Sequence, residues 1–224
     1  MSKSVSFDLD TSDFEQSALK LFEHSRRDWE TFIREQVRGF LRLVIDFTPP
    51  SRGAIRGVKA KKAGEGTIER DVRKVFATTS SAKRVQVSSI AEMRSIMKGK
   101  RARRGGKITY ASDTKTLVRA ALLREFLKQR KTRVGYLASG WHAAAKNIGN
   151  VRVPAWIGRH NGPGSTSVKS TIEGIIAEIC NEVDYASDVS GMERRMQAAL
   201  NAQARRMDRR LAHFTEKAAK SAGF

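Results

Sequence analysis

A single cysteine, Cys180, stands among 224 residues, so no internal disulfide can form and no zinc site can be built from thiolates. No CxxC or HExxH spacing occurs either. That scarcity points to a reducing compartment. No run of about 18 apolar residues is present, which excludes a membrane-spanning helix. The opening MSKSVSFDLDTSDFE is acidic and polar where a signal peptide would carry a basic end and an apolar stretch, so conventional secretion is not expected. Acids are scarce as well: 23 Asp+Glu face 43 Lys+Arg, for a net charge of +20 and a pI near 10.7. Such an imbalance calls for a polyanion or an acidic partner, because uncompensated repulsion opposes the compact state. Nucleic acid is the first class it suggests.

What is present describes a folded body with polar extensions. The hydrophobic share is 40% and the charged share 29%, close to globular averages. The length fits a single domain, 1–224. Ser12 and Glu15 have the spacing of a capping box, and no proline follows until position 49. Across that interval Phe14, Leu21, Trp29, Phe32 and Phe40 belong to an apolar stripe with steps of three and four, which predicts a helix over 12–47. At about 54 Å such a helix serves assembly or is broken in two, and Gly39 is its weak point. Thr48-Pro49-Pro50 ends it.

Residues 51–66 and 98–107 combine cations with glycines and almost no acid, and read as mobile basic loops. Thr67 is placed to cap a short core helix, Ile68 to Phe76. Arg84-Val85-Gln86-Val87 alternates briefly, and a short helix is expected around Ile90 to Met97. The periodicity then predicts a packed helical pair over 116–148, closed by Gly149. Strands are expected over 151–185: an edge segment at Val151 to Ile157, a turn at Arg159 to Ser167, and the best strand region from Thr171 to Tyr185. Met196, Leu200 and Leu211 mark a terminal helix over 191–220 whose other surface is crowded with arginine.

Little here carries chemistry. His24, His142, His160 and His213 are dispersed, whereas metal ligands come at least partly in local pairs. A hydrolase would have to rest on His142 or His160. Arg159-His160-Asn161-Gly162-Pro163-Gly164 has the look of a phosphate cradle but fits neither nucleotide-binding spacing, so a turn is expected. Glu182, Asp184 and Asp188 read as solvated or paired carboxylates. No catalytic residue, cofactor site or metal site is assigned. No helix-turn-helix, zinc finger or RNP-like strand is found, so any contact with nucleic acid is expected to be nonspecific.

The order of features resembles a known family. A long helix running into Phe47-Thr48-Pro49-Pro50-Ser51-Arg52-Gly53-Ala54-Ile55, then GEGTIERDVRKVF at 64–76, Gly135-Tyr136-Leu137-Ala138-Ser139-Gly140-Trp141, and Asn181-Glu182-Val183-Asp184-Tyr185-Ala186 before a terminal helix are similar to blocks in neck and tail-completion (minor tail) proteins of tailed bacteriophages. The resemblance implies a non-enzymatic α+β subunit, with long terminal helices on a small antiparallel sheet and basic extended loops. It implies a homo-oligomeric ring at the head–tail junction of a virion assembled in the host cytoplasm, with other neck and tail proteins and double-stranded DNA as partners, and no membrane. On this reading Phe14, Leu21, Trp29, Phe32, Phe40, Met196, Leu200 and Leu211 form assembly surfaces. Arg52, Arg56, Lys59, Lys61, Lys62, Lys100, Arg101, Arg103 and Arg104 meet DNA or acidic neighbours. A nonspecific nucleic-acid-binding or DNA-packaging protein is the alternative.

Overall fold

The computed structural model describes residues 9–23, 28–51, 54–104, 107–110, 114–149, 151–171, 174–186, 189 and 191–221. In chain order the elements are α1 (Ser12–Glu23), α2 (Trp29–Phe47), α3 (Gly57–Val75), β1 (Phe76–Thr78), a 3₁₀ turn (Ala82–Arg84), α4 (Ile90–Gly99), β2 (Arg101–Arg104), β3 (Lys107–Tyr110), β4 (Thr116–Val118), α5 (Ala120–Lys131), α6 (Tyr136–Lys146), α7 (Ala155–Gly158), β5 (Gly164–Thr171), β6 (Gly174–Asn181) and α8 (Met192–Ser221). The fold is α+β, with the strands in three two-stranded sheets. Where the sequence suggests one domain, the chain divides into two compact units: residues 55–134 form one, and the segments on either side of them form the other.

In the outer unit the apolar stripe of α2 buries Phe32, Ile33, Val37, Phe40, Leu41 and Val44, and α8 answers with Met192, Met196, Ala199, Leu200, Ala204 and Met207. The two helices run antiparallel, since Gln203 Nε2 donates to Gln36 Oε1 at 3.0 Å and Arg195 Nη1 donates to the Phe47 carbonyl at 2.9 Å. α1 packs on α8 beside them. The single helix expected over 12–47 is two helices. α2 starts afresh at Asp28, whose carboxylate accepts from the Thr31 amide at 2.9 Å, satisfying an amide that a continuous helix would have bonded internally. His24 to Arg27 lie outside the described residues.

Gly39 is no break. It sits inside α2, where a Cβ would come within 2.6 Å of Gln203 Nε2, so the glycine permits close approach of α8. The Ser12–Glu15 capping box does not form either. Ser12 Oγ donates to Asp10 at 2.7 Å, and Glu15 accepts from Thr11 Oγ1 at 2.6 Å. α2 stops at Thr48, whose amide and hydroxyl both reach back to the Val44 carbonyl before the two prolines.

α6 lies against the β5–β6 hairpin and against α2. The hairpin is antiparallel from Gly164↔Asn181 to Thr171↔Gly174, so the turn expected through Ser167 ends at Pro163. The edge strand expected at Val151 to Ile157 gives way at Ala155 to the single turn α7, which buries Trp156 and Ile157. Pro154, fixed near helical φ, leads into that turn. Gly149 has φ 133°, three residues beyond the end of α6.

In the inserted unit Val72, Val75, Phe76, Val87, Met93, Val118, Leu123 and Phe126 form one core. Its centre is a parallel pair, β1 with β4, extended by a bridge between Val87 and Val118. The loop expected over 51–66 is helical from Gly57 onward. Ala60 is fully buried, Lys61 pairs with Glu65 at 3.2 Å one turn on, and the Ala and Lys content sustains a helix despite its glycines. Thr67 therefore lies inside α3, with Oγ1 donating to the Ala63 carbonyl at 3.0 Å, and caps nothing. The basic loop expected over 98–107 is the end of α4 followed by the β2–β3 hairpin, paired from Arg101↔Tyr110 to Arg104↔Lys107. The pair expected over 116–148 begins with β4. Its two helices then pack within separate units, α5 on α3 and α6 on α2.

Candidate interaction surfaces

Two arrangements stand out, one in each unit. The first is a polar latch joining α6 to the base of the β5–β6 hairpin. Ser139 Oγ donates to the Tyr136 carbonyl at 2.7 Å and accepts from the Gly162 amide at 2.9 Å. Asn181 Nδ2 donates to the Leu137 carbonyl at 3.0 Å, and Asn181 Oδ1 accepts from the Val183 amide at 3.2 Å. The Glu182 amide donates to the Pro163 carbonyl at 3.1 Å. Backbones approach so closely that a Cβ on Gly140 would lie 2.2 Å from Asn181 Oδ1, and one on Gly164 would lie 2.1 Å from the Gly140 carbonyl. Gly135, at φ 102°, presses on Trp156 in the same way. The Gly162 amide, which a phosphate cradle would turn outward, is thus committed to Ser139.

The second arrangement is the outer face of α3. Its inner face buries Ala60, Val72 and Val75. At 3.6 residues per turn, Lys59, Lys62, Gly66, Arg70, Arg73 and Lys74 fall on the opposite side, and all are exposed. Lys59 and Lys62 have no carboxylate partner among the described residues, while Arg73 meets Glu69 at 2.8 Å and Lys74 meets Asp71 at 3.4 Å. Lys131 also reaches Glu69, at 2.7 Å. Those contacts hold the Glu69 carboxyl below its ordinary value, through the Lys131 hydrogen bond first and the Arg73 hydrogen bond second.

The residues expected to serve assembly divide in two. Leu21, Phe32, Phe40, Met196 and Leu200 are buried within the chain, and this corrects their role: these five side chains are covered by the chain itself and are not offered to a neighbouring copy. Phe14, Trp29 and Leu211 remain half-buried. Trp29 sits in an aromatic cluster, its ring centroid 4.5 Å from Phe22 and 5.8 Å from Phe32. Beyond Met207, α8 is exposed through Lys217 apart from Leu211, and Phe214 is 48% exposed.

The expected cationic contacts are not brought to one place. Arg56, Lys59, Lys61 and Lys62 belong to the start of α3, with Lys61 drawn to Glu65. Arg101, Arg103 and Arg104 are positions of β2. Lys100 Nζ donates to the Thr114 carbonyl at 2.8 Å, and Arg52 lies outside the described residues. Arg70, Arg73 and Lys74 were missed. Their spacing from Lys59 and Lys62 was legible as a single cationic helix face, but the glycines between divided it into a loop and a short helix.

Catalytic candidates do not converge. His142 is buried in α6 and its pKa is lowered from 6.5, chiefly by burial and then by Lys146, with a backbone hydrogen bond at Val151 opposing. The His160 ring stacks edge-on with Tyr136, centroids 5.9 Å apart, and His213 is exposed on α8. His24 and Asp188 lie outside the described residues. Glu182 accepts from Ser165 Oγ at 2.7 Å, and Asp184 is exposed. Among the described residues no group of three His, Cys, Asp or Glu side chains is placed to hold a metal ion, and no helix is long and apolar enough to cross a membrane. No family model matches the chain, and no curated protein or solved structure matches it either.

Proposed function

We propose that the chain is a non-enzymatic structural subunit of the neck or tail-completion ring of a tailed bacteriophage. One observation supports this reading above the rest: three of the four sequence blocks that carry the resemblance fall at structural joints of one unit, while the fourth, 64–76, runs through α3 into β1 of the other. Thr48 closes α2. Gly135 to Trp141 and Asn181 to Ala186, more than forty residues apart, meet in the latch of Ser139, Gly140 and Asn181.

With most of the stripes covered internally, the apolar surfaces open to neighbouring copies include the uncovered end of α8, with Leu211 and Phe214, exposed Leu19 on α1, and half-buried Phe14 and Trp29. A head-to-tail ring needs two such unlike patches per subunit. The alternative is a nonspecific nucleic-acid-binding or packaging protein. It draws on residues 55–134, where 23 Lys+Arg face six Asp+Glu.

Particle mass by light scattering, with negative-stain imaging, tests the ring between about 50 and 500 mM salt, a range over which exposed charges are progressively screened. A salt-resistant ring, or a monomer recruited into one by other virion proteins, is the expected result. A monomer that forms no ring under either condition overturns the proposal.

A further inference from the structure

We infer that the outer face of α3 docks on the phosphate backbone of duplex DNA. Lys59, Lys62, Arg70 and Arg73 form a row about 21 Å long, taking about 1.5 Å per residue, on the side of the helix opposite buried Ala60, Val72 and Val75. Of the acids of α3, Glu65 falls on a flank, Asp71 lies toward the buried side, and Glu69 sits beside the row and pairs with Arg73. The surrounding unit cannot neutralise the row, because residues 55–134 contain only six carboxylates for 23 cations. Such a field attracts a polyanion and releases its counterions on contact.

The chemistry of the face selects among polyanions. Apart from its cations it holds Ala63, Gly66 and Thr67, with Glu69 beside Arg73 and exposed Val58 at one end. An acidic protein partner would be expected to find apolar or aromatic anchors at the centre of its interface, and a single strand would find aromatic rings on which bases stack. Neither is there. At the midpoint is Gly66, where a Cβ would meet nothing within 4 Å. No packing inside the chain asks for glycine there, although glycine in a helix interior is less stable than alanine. A bare backbone between Lys62 and Arg70 lets a phosphate strand come close. The inference does not depend on ring membership: a monomer could use the same face.

The test is a fluorescence-anisotropy titration of the full chain against a short duplex at several salt concentrations. The wild type should bind, with log K falling as log salt rises by about 0.9 for each phosphate contacted. The triple variant K59Q/K62Q/R70Q should be shallower in slope by roughly 2 to 3 and at least about tenfold weaker near 100 mM salt. K83Q/R84Q/K98Q removes equal charge from exposed positions of the same unit and should change the slope by less than about 1. Equal losses in the two triples would show that binding follows net charge and would overturn the assignment to α3. So would a wild-type chain that binds no duplex, which would leave an acidic polypeptide as the partner class. Gly66→Glu, placing a carboxylate in the middle of the row, should weaken binding by at least about tenfold, and unchanged affinity would likewise overturn the assignment. Ring formation, measured separately by light scattering, is not expected to change in these variants, so loss of one property is distinguishable from loss of the other.

Discussion

The inserted unit and the rest of the chain carry similar numbers of cations, 23 and 20, but six carboxylates accompany the first set and 17 the second. The net charge of +20 is therefore no property of the fold as a whole: residues 55–134 supply +17 of it and the other 144 residues supply +3. The arginines crowding α8 look like a polyanion surface in the sequence, yet they belong to a nearly balanced unit, and one of them, Arg195, is engaged with the Phe47 carbonyl. The architectures differ in the same sense. The outer unit is held by long helices that interlock at glycines and by a polar latch. The inserted unit has a small aromatic and aliphatic core with cations directed outward.

The sharpest way to break this comparison is to delete one ring from each core. Phe126 is fully buried against Phe76, ring centroids 6.0 Å apart, and Phe40 is buried on α2, which packs on α8 and α6. Each Phe→Ala change should cost about 3 to 5 kcal/mol, read as a lower melting temperature. Hydrogen exchange should show protection lost around α3 and α5 for Phe126→Ala, and around α2 and α8 for Phe40→Ala. Uniform loss in both variants would mean that the two units unfold as one cooperative body. Gly140→Ala comes next. Its new methyl would overlap Asn181 and the Pro163 carbonyl, which lies in the range of about 1 to 3 kcal/mol for overpacking. A Tm equal to wild type would show that the latch yields without cost.

The latch also shows what the sequence could and could not reveal. Helical periodicity was strong enough to place α5, α6 and α8, and to cover α2 within one longer span, because each of these helices buries an apolar stripe. The block Gly135 to Trp141 was visible as a pattern, but its partner Asn181 is 41 residues from Gly140, and no local rule joins them. The glycines of 57–66 misled for a related reason. The three glycines favour a loop there, and the burial of Ala60 in a tertiary contact, joined by the Lys61–Glu65 pair, decides for the helix. The hairpin at Arg101 to Tyr110 did leave a signal, since Gly105-Gly106 between two short runs is a common turn dipeptide, but the charge of the flanking strands hid it.

A smaller effect probes the outer unit through pH. Burial keeps the folded-state pKa of His142 below the ordinary 6.5, so between the two values the unfolded chain binds the proton and the folded chain does not. Stability is then fully present above about pH 6.5 and is lost as the pH falls through the lowered value. Melting temperatures measured across this window should decline toward acid, and His142→Gln should flatten the decline. A decline of unchanged steepness in the variant would assign the acid sensitivity to other groups.

The smallest effect separates the units by sign. Lys59 and Lys62 are exposed, lack carboxylate partners among the described residues and sit in a unit of large like charge. Neutralising both to Gln removes repulsion and no structural bond, so the change should lie within about 0.5 kcal/mol. It should raise the melting temperature slightly at low salt and leave it unchanged at high salt, where screening has already removed the repulsion. The same test on Arg194 and Arg210 of α8, which are exposed in the nearly balanced unit, should give no salt-dependent gain. A fall in melting temperature for the Lys59 and Lys62 variant would mean that those ammonium groups hold α3 in place. Its outer row would then be part of the scaffold, and no surplus of positive charge would remain there for a ligand to neutralise.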